Sequence, residues 1–116
     1  MTIVEGEQLT PARSPDREIG QAAAADLMSD VLAFAKPNCL LITGLANAQA
    51  VRTAELADVA AIVLVRGKRP EVDALALARE RGIPMVASPC TMFDMCGRLY
   101  VAGLVGCDTE PRTKLV

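Results

Sequence analysis

The chain has 116 residues, of which 52% are hydrophobic and 22% are charged, with a formal net charge of −2. This length and composition predict one globular domain and exclude a disordered chain. The weak negative charge gives no electrostatic reason to expect nucleic acid or an anionic membrane surface as a partner. The sequence contains no histidine, which excludes histidine as a general base, a metal ligand or a phosphoryl carrier.

The first predicted elements are two short strands, Thr2–Glu7 and Glu18–Ala24, separated by a loop at 10–16 that contains two prolines. Asp26 is then predicted to cap a helix over Leu27–Lys36, since apolar residues recur there at helical spacing and a proline follows.

The middle of the chain repeats one pattern, in which a short apolar run is followed by a turn and a helix. The apolar runs predict three strands, at 39–43, 60–65 and 84–88. The helices are predicted from the Asn47 cap to about Asp58, from Pro70 to a stop at Gly82, and after Ser88–Thr91. On the last helix, Phe93 or Met92, Cys96, Leu99 or Tyr100, and Gly103 fall along one apolar face.

Strands that alternate with helices at this spacing predict a parallel sheet. The expected fold is therefore α/β, a single domain of two or three layers with a mainly parallel central sheet, with or without an N-terminal antiparallel strand pair. We expect this domain to cover residues 1–106 and the polar segment 107–116 to form a flexible tail.

The loops that leave the carboxyl ends of parallel strands meet at one edge of the sheet, where ligands usually bind. Ten residues of these loops are candidates for ligand contact: Thr43, Gly44, Asn47, Arg66, Gly67, Lys68, Arg69, Ser88, Cys90 and Thr91. Helix N-termini and three nearby cations would favour a small anion or a nucleotide phosphate. The alternative interpretation is that the three cations are solvated loop charges.

No catalytic or cofactor-binding signature accompanies these loops. The chain has neither the G-x-x-x-x-G-K-[ST] loop of NTPases nor the G-x-G-x-x-G loop of dinucleotide-binding folds. Asp26 and Asp30 share a helix face, but capping and solvation explain them better than acid–base chemistry. We therefore predict a protein that is not an enzyme and that holds no cofactor.

The four cysteines, Cys39, Cys90, Cys96 and Cys107, form no C-x-x-C pair, so no metal site is predicted. Cys39 and Cys96 are interpreted as small core residues. Cys90 is predicted to lie in the first turn of the last helix, where the helix field would increase the reactivity of a thiol. A redox or ligating role for Cys90 therefore remains an alternative to structural packing.

The N-terminus has neither the basic nor the apolar region of a signal peptide. The longest fully apolar run, Val59–Val65, is too short to span a bilayer. We expect a soluble cytoplasmic protein with no membrane partner, and its cysteines are then expected to be reduced.

Four motifs follow one another over residues 16–106: Asp26–Leu32; Leu41-Ile-Thr-Gly44; Ala60–Leu64 with Gly67 and Pro70; and Thr91-Met-Phe93 with Gly97-Arg-Leu99. In this order and spacing they resemble the DRTGG domain family. The letters that name the family are missing here, because the chain after Thr43 reads Gly44-Leu-Ala-Asn-Ala48. If that segment contacts a ligand in relatives, the contact in this chain would differ.

Members of that family are small α/β modules. They occur alone, between the paired CBS domains of regulated pyrophosphatases, and in the N-terminal region of some phosphotransacetylases. They are also compared with the N-terminal domain of HPr kinase/phosphorylase. The resemblance implies a regulatory or assembly module, commonly at a dimer interface, with no established activity of its own.

The first expectation is therefore a non-catalytic module that forms a homodimer through an apolar helix surface or a sheet edge. A sensor of a small anionic ligand, such as an adenine nucleotide, is the first alternative. A cysteine-based redox or metal-linked module is the second.

Overall fold

The computed structural model describes residues 6–10 and 19–107, which form one sheet with helices on both faces. The strands are β1 (Glu7–Gln8), β2 (Gln21–Ala24), β3 (Leu40–Thr43), β4 (Ala61–Leu64), β5 (Met85–Ala87) and β6 (Val105–Gly106). The helices are α1 (Met28–Phe34), α2 (Ala48–Leu56), α3 (Val72–Arg81) and α4 (Met92–Val101). The three apolar runs of the sequence are therefore confirmed as β3, β4 and β5.

The strands lie in the order β1-β5-β4-β3-β2-β6. All neighbouring pairs are parallel except β1 and β5, which are antiparallel. A mainly parallel α/β sheet is thus confirmed. One antiparallel pair involves an N-terminal strand, but its partner is β5 rather than β2, which lies on the other half of the sheet.

Residues on both sides of β1, Gly6 before it and Thr10 after it, contact the β5 region of the chain. A Cβ atom on Gly6 would lie 2.5 Å from the backbone oxygen of Ala87, so only glycine allows this close approach. The buried hydroxyl of Thr10 donates to the Ile83 oxygen and accepts from the Met85 N–H, both at 2.7 Å.

Of the predicted N-terminal elements, residues 1–5 and 11–18 lie outside the described part of the chain.

The buried strands supply two separate cores, because successive side chains of a strand point to opposite faces. One core packs α1, α2 and α3 against one face and includes Leu41, Ile62 and Leu64. The other packs α4 against the opposite face and includes Ile42 and Val63. The domain therefore has three layers, with three helices on one side of the sheet and one on the other.

Two predicted helix ends are confirmed, whereas the helix predicted from Pro70 begins only at Val72, with Glu71 as its N-cap. Asn47 caps α2 and accepts from the Ala50 N–H at 3.1 Å, and Gly82 ends α3 in the left-handed conformation, at φ 68°. The last helix begins later than predicted, because Thr91 is its N-cap and accepts from the Asp94 N–H. Cys90 therefore precedes the helix and does not lie in its first turn.

The buried face of α4 is formed by Met95 and Leu99, with Met92 and Cys96 partly buried beside them. Of the two residues predicted to begin this face, Met92 is correct and Phe93 is wrong, since Phe93 is 86% exposed. The backbone then turns at Gly103 into β6.

The C-terminal end of the described chain is tied to the sheet. The N–H of Cys107, a residue of the predicted tail, donates to the Ala22 oxygen at 3.1 Å, and its side chain is buried. Residues 108–116 lie outside the described part of the chain. No helix that the structure describes is long and apolar enough to cross a membrane.

Candidate functional site

The carboxyl ends of β2, β3, β4 and β5 lie side by side along one edge of the sheet, as the sequence predicts. Parallel pairing aligns Ala24 with Ile42, and Thr43 with Leu64, which in turn pairs with Ala87. We call the segments that follow these strands, residues 25–26, 44–47, 66–71 and 88–91, the carboxyl rim. The rim brings together residues from all three predicted loops and one further segment.

The further segment supplies Asp26, whose carboxylate joins three strand ends. Its Oδ1 accepts from the Gly44 N–H at 2.7 Å and from the Thr43 hydroxyl at 3.2 Å. Its Oδ2 lies 3.4 Å from Nη2 of Arg66. Both charged side chains are about half exposed, so the ion pair itself stabilises the fold little.

The prediction that Asp26 caps α1 is wrong. The N-cap position is held by Leu27, which makes no side-chain capping bond. The Asp26 carboxylate instead accepts from the backbone N–H of Gly44 in the neighbouring loop. Its position directly after β2 was the available signal, since the segment after every parallel strand reaches the same edge.

Arg66 and Gly67 form a tight turn in which both residues have positive φ, at 61° and 68°. The Lys68 N–H donates to the Val65 oxygen at 3.2 Å and closes the turn. Because Arg66 carries a side chain, its left-handed conformation costs about 1–2 kcal/mol. Two backbone hydrogen bonds stabilise this turn. The Arg66 N–H donates to the Cys90 oxygen at 2.7 Å, and the Gly67 N–H donates to the Ser88 oxygen at 2.9 Å.

This turn directs the Arg66 side chain toward Asp26, and its guanidinium lies against the backbone of Gly44. A Cβ atom at Gly44 would collide with the Arg66 guanidinium. Three of the predicted residues, Thr43, Gly44 and Arg66, are thus in mutual contact through Asp26.

A second group of rim residues lies around Arg69. Its Nη1 is 2.7 Å from Oε2 of Glu7, and both side chains are largely exposed. Arg69, Gly67 and Ser88 line a cleft of about 220 Å³ together with Glu7 and other residues near β1 and β5. Glu7 was predicted only as part of a strand, because nothing local in the sequence indicates its contact with residue 69.

Two carboxylates that the sequence did not assign to this edge therefore lie here, Asp26 within the rim and Glu7 beside it in β1. Arg66 pairs with Asp26 and Arg69 pairs with Glu7, whereas Lys68 is exposed and has no ion pair with a described residue. An anion binding here would have to compete with the side chains of Asp26 and Glu7.

The remaining predicted residues have structural contacts. The buried Ser88 hydroxyl accepts from the Cys90 N–H at 3.2 Å, and the hydroxyl of Thr43 accepts from the Leu45 N–H at 3.1 Å. Asn47 and Thr91 cap the helices that they precede. Two hydroxyls that could have served as nucleophiles are thus buried and engaged with backbone N–H groups.

The four cysteines are divided between the two faces of the sheet. Cys39 and Cys107 lie in the three-helix core, whereas Cys90 and Cys96 pack against the α4 side. Burial, reinforced by the neighbouring thiol of Cys107, raises the pKa of Cys39 to about 12. Burial also raises the pKa of Cys96. In residues 6–10 and 19–107, no group of three or more Cys, Asp or Glu residues is arranged to hold a metal ion.

The fold and the rim define a small three-layer α/β module with a polar edge that contains two ion pairs. The chain belongs to the DRTGG domain family, whose model matches residues 1–100. This is a family of regulatory domains. A search of the curated proteins found no similar sequence.

Proposed function

We propose that this protein is a non-catalytic regulatory module that acts as a homodimer. Membership of a regulatory family supports the first part. The hydroxyls of Thr43 and Ser88 and the cations Arg66 and Arg69 are engaged in contacts within the chain, which also supports it. Side chains that are already bound in this way position the loops and are not poised to react.

The homodimer is supported mainly by one observation, which is that helices cover the two faces of the sheet unequally. Six strands at about 4.8 Å spacing span about 24 Å, whereas one helix is about 10 Å wide. Three helices cover one face of this sheet, but only α4 covers the other in the described chain. Ala22, Ala61 and Val86 on that side remain only partly buried.

A cleft of about 260 Å³ opens between α4 and the β2–β6 half of the sheet, and its lining is mainly apolar. It includes the side chains of Ile42, Leu99 and Leu104. Ile42 and Leu99 are themselves buried, whereas Leu104 is partly open to solvent. Apolar surface that stays partly open is typical of protein–protein interfaces. We therefore place the contact with a second copy on the α4 side of the sheet.

Sedimentation equilibrium of the purified full chain across the micromolar range tests the homodimer. We expect a reversible monomer–dimer equilibrium, with the dimer dominant at the highest concentrations. A mass that stays at the monomer value at every concentration would contradict the proposal.

A second candidate function is the sensing of a small anionic ligand, and the cleft beside Arg69 favours it. A phosphate group there would replace the Glu7 carboxylate on the Arg69 guanidinium. The cleft of about 220 Å³ is small, so it would hold the anionic part of a nucleotide with the rest outside.

Thermal unfolding with added ATP, AMP or inorganic phosphate tests this second candidate. A ligand present at 100 times its Kd should stabilise the fold by about 2.7 kcal/mol. Arg69→Ala should abolish the rise in Tm, and Glu7→Gln should increase it, because the competing carboxylate is then gone. Equal responses of wild type and Arg69→Ala, or no response to any of the three compounds, would reject the site.

A further inference from the structure

The outward face of α4 is apolar where an amphipathic helix should be polar. Met95 and Leu99 point into the core, so the residues opposite them on the helix are Phe93, Gly97 and Val101, spaced four apart. Phe93 is 86% exposed and Val101 is 89% exposed. These two are among the most exposed large hydrophobic residues of the described chain.

Contacts within the described part of the chain do not explain the glycine at position 97. A Cβ atom built on Gly97 would meet no atom of residues 6–10 or 19–107 within 4 Å, and its conformation is helical. Glycine in a helix interior is less favourable than alanine, so the fold gains nothing from it. The missing side chain leaves a shallow groove between Phe93 and Val101, and Asp94 and Arg98 border this groove on one side.

We infer that α4 is the interface of the homodimer and that two copies of α4 pack antiparallel, with the twofold axis passing beside Gly97. This inference rests on the proposed homodimer and specifies its surface. In this arrangement Phe93 of each copy lies over Val101 of the other, and the two glycines face each other. The absent side chains let the helix backbones approach closely.

The flanking charges favour the antiparallel arrangement. Asp94 and Arg98 lie one turn apart on the same flank of the helix. A twofold axis perpendicular to the helices keeps that flank on one side and reverses its direction, which brings Asp94 of one copy toward Arg98 of the other. A parallel pair would place Phe93 against Phe93 and would not oppose these charges. The partner is therefore a second copy of this chain.

Two single variants test the interface while leaving the monomer intact. Phe93→Glu puts a negative charge at the start of α4 and Val101→Lys puts a positive charge at its end, and both complement the helix dipole. Each should weaken dimerisation about tenfold or more, measured as Kd by sedimentation. Val72→Lys, on the equally exposed Val72 of α3, should leave Kd unchanged.

Mixing the two variants tests the geometry. In an antiparallel heterodimer Glu at position 93 faces Lys at position 101, while the second contact keeps the original Phe93 and Val101. The mixture should therefore form a heterodimer that is at least about tenfold tighter than either variant alone. Circular dichroism and Tm confirm that each variant is folded.

The outcomes separate this inference from the proposed homodimer. If wild type dimerises and both variants dimerise equally well, α4 is not the interface, although the homodimer stands. If both variants are weakened and their mixture does not recover, the antiparallel geometry is wrong. A wild type that is monomeric throughout rejects the homodimer itself.

Discussion

Leu64→Ala should lower the free energy of unfolding by about 3 kcal/mol. Leu64 lies in β4, is 1% exposed, and packs between the sheet and the three-helix layer. Truncation removes buried apolar atoms and leaves a cavity that a closely packed core fills only in part. Urea denaturation followed by far-ultraviolet circular dichroism measures the change.

Leu56→Ala is the matched control. Leu56 lies in α2 and is 75% exposed, so the same chemical change should alter the free energy of unfolding by less than about 0.5 kcal/mol. Equal losses at positions 56 and 64 would mean that β4 is not the buried central strand described above.

Raising the pH above 9 should destabilise the fold, and Cys39 should account for part of the loss. Burial raises the pKa of Cys39 from 9.0 to about 12. Between these values the unfolded chain has lost the thiol proton and the folded chain keeps it. The free energy of unfolding should then fall with pH, by up to about 1.4 kcal/mol per pH unit for this group. Below pH 9 both states keep the proton and the dependence disappears.

The measurement is urea denaturation at several pH values, compared between wild type and Cys39→Ala. The variant is less stable at neutral pH because it leaves a cavity, but its stability should fall less steeply above pH 9. Cys90→Ala, on the other face of the sheet, serves as the control for removing a thiol. Parallel pH dependences of wild type and Cys39→Ala would contradict the assignment.

The central architecture could be predicted because its signals are local. Buried parallel strands are continuous apolar runs, and β3, β4 and β5 are such runs. Asn47 and Gly82 are recognisable because a cap or stop depends on a few neighbouring residues. The shared edge then follows from parallel strand direction.

The features that could not be predicted depend on distant contacts or on ambiguous spacing. The pairing of β1 with β5, and of Glu7 with Arg69, joins residues about sixty or more positions apart. Asp26 directly precedes a helical pattern, as an N-cap residue does, but its carboxylate binds Thr43 and Gly44 at the end of β3. The local sequence does not show that contact. Phe93 follows Met92 directly, so periodicity alone does not decide which of the two faces the core.

The rim and the outward face of α4 have different roles in the proposed homodimer. The rim fixes the loops at one edge through the carboxylates of Asp26 and Glu7. The face of α4 leaves apolar surface for another copy. Regulation through the proposed homodimer would require only the second of these surfaces, and the proposed ligand at the rim would be independent of it.

Hydrogen–deuterium exchange at low and high protein concentration tests the central claim most directly. If the chain works as a homodimer joined through α4, the backbone amides of residues 92–101 should become more protected as concentration rises, while those of α2 and α3 stay unchanged. Protection that is independent of concentration at every described residue, or that rises only on the three-helix side, would contradict the account.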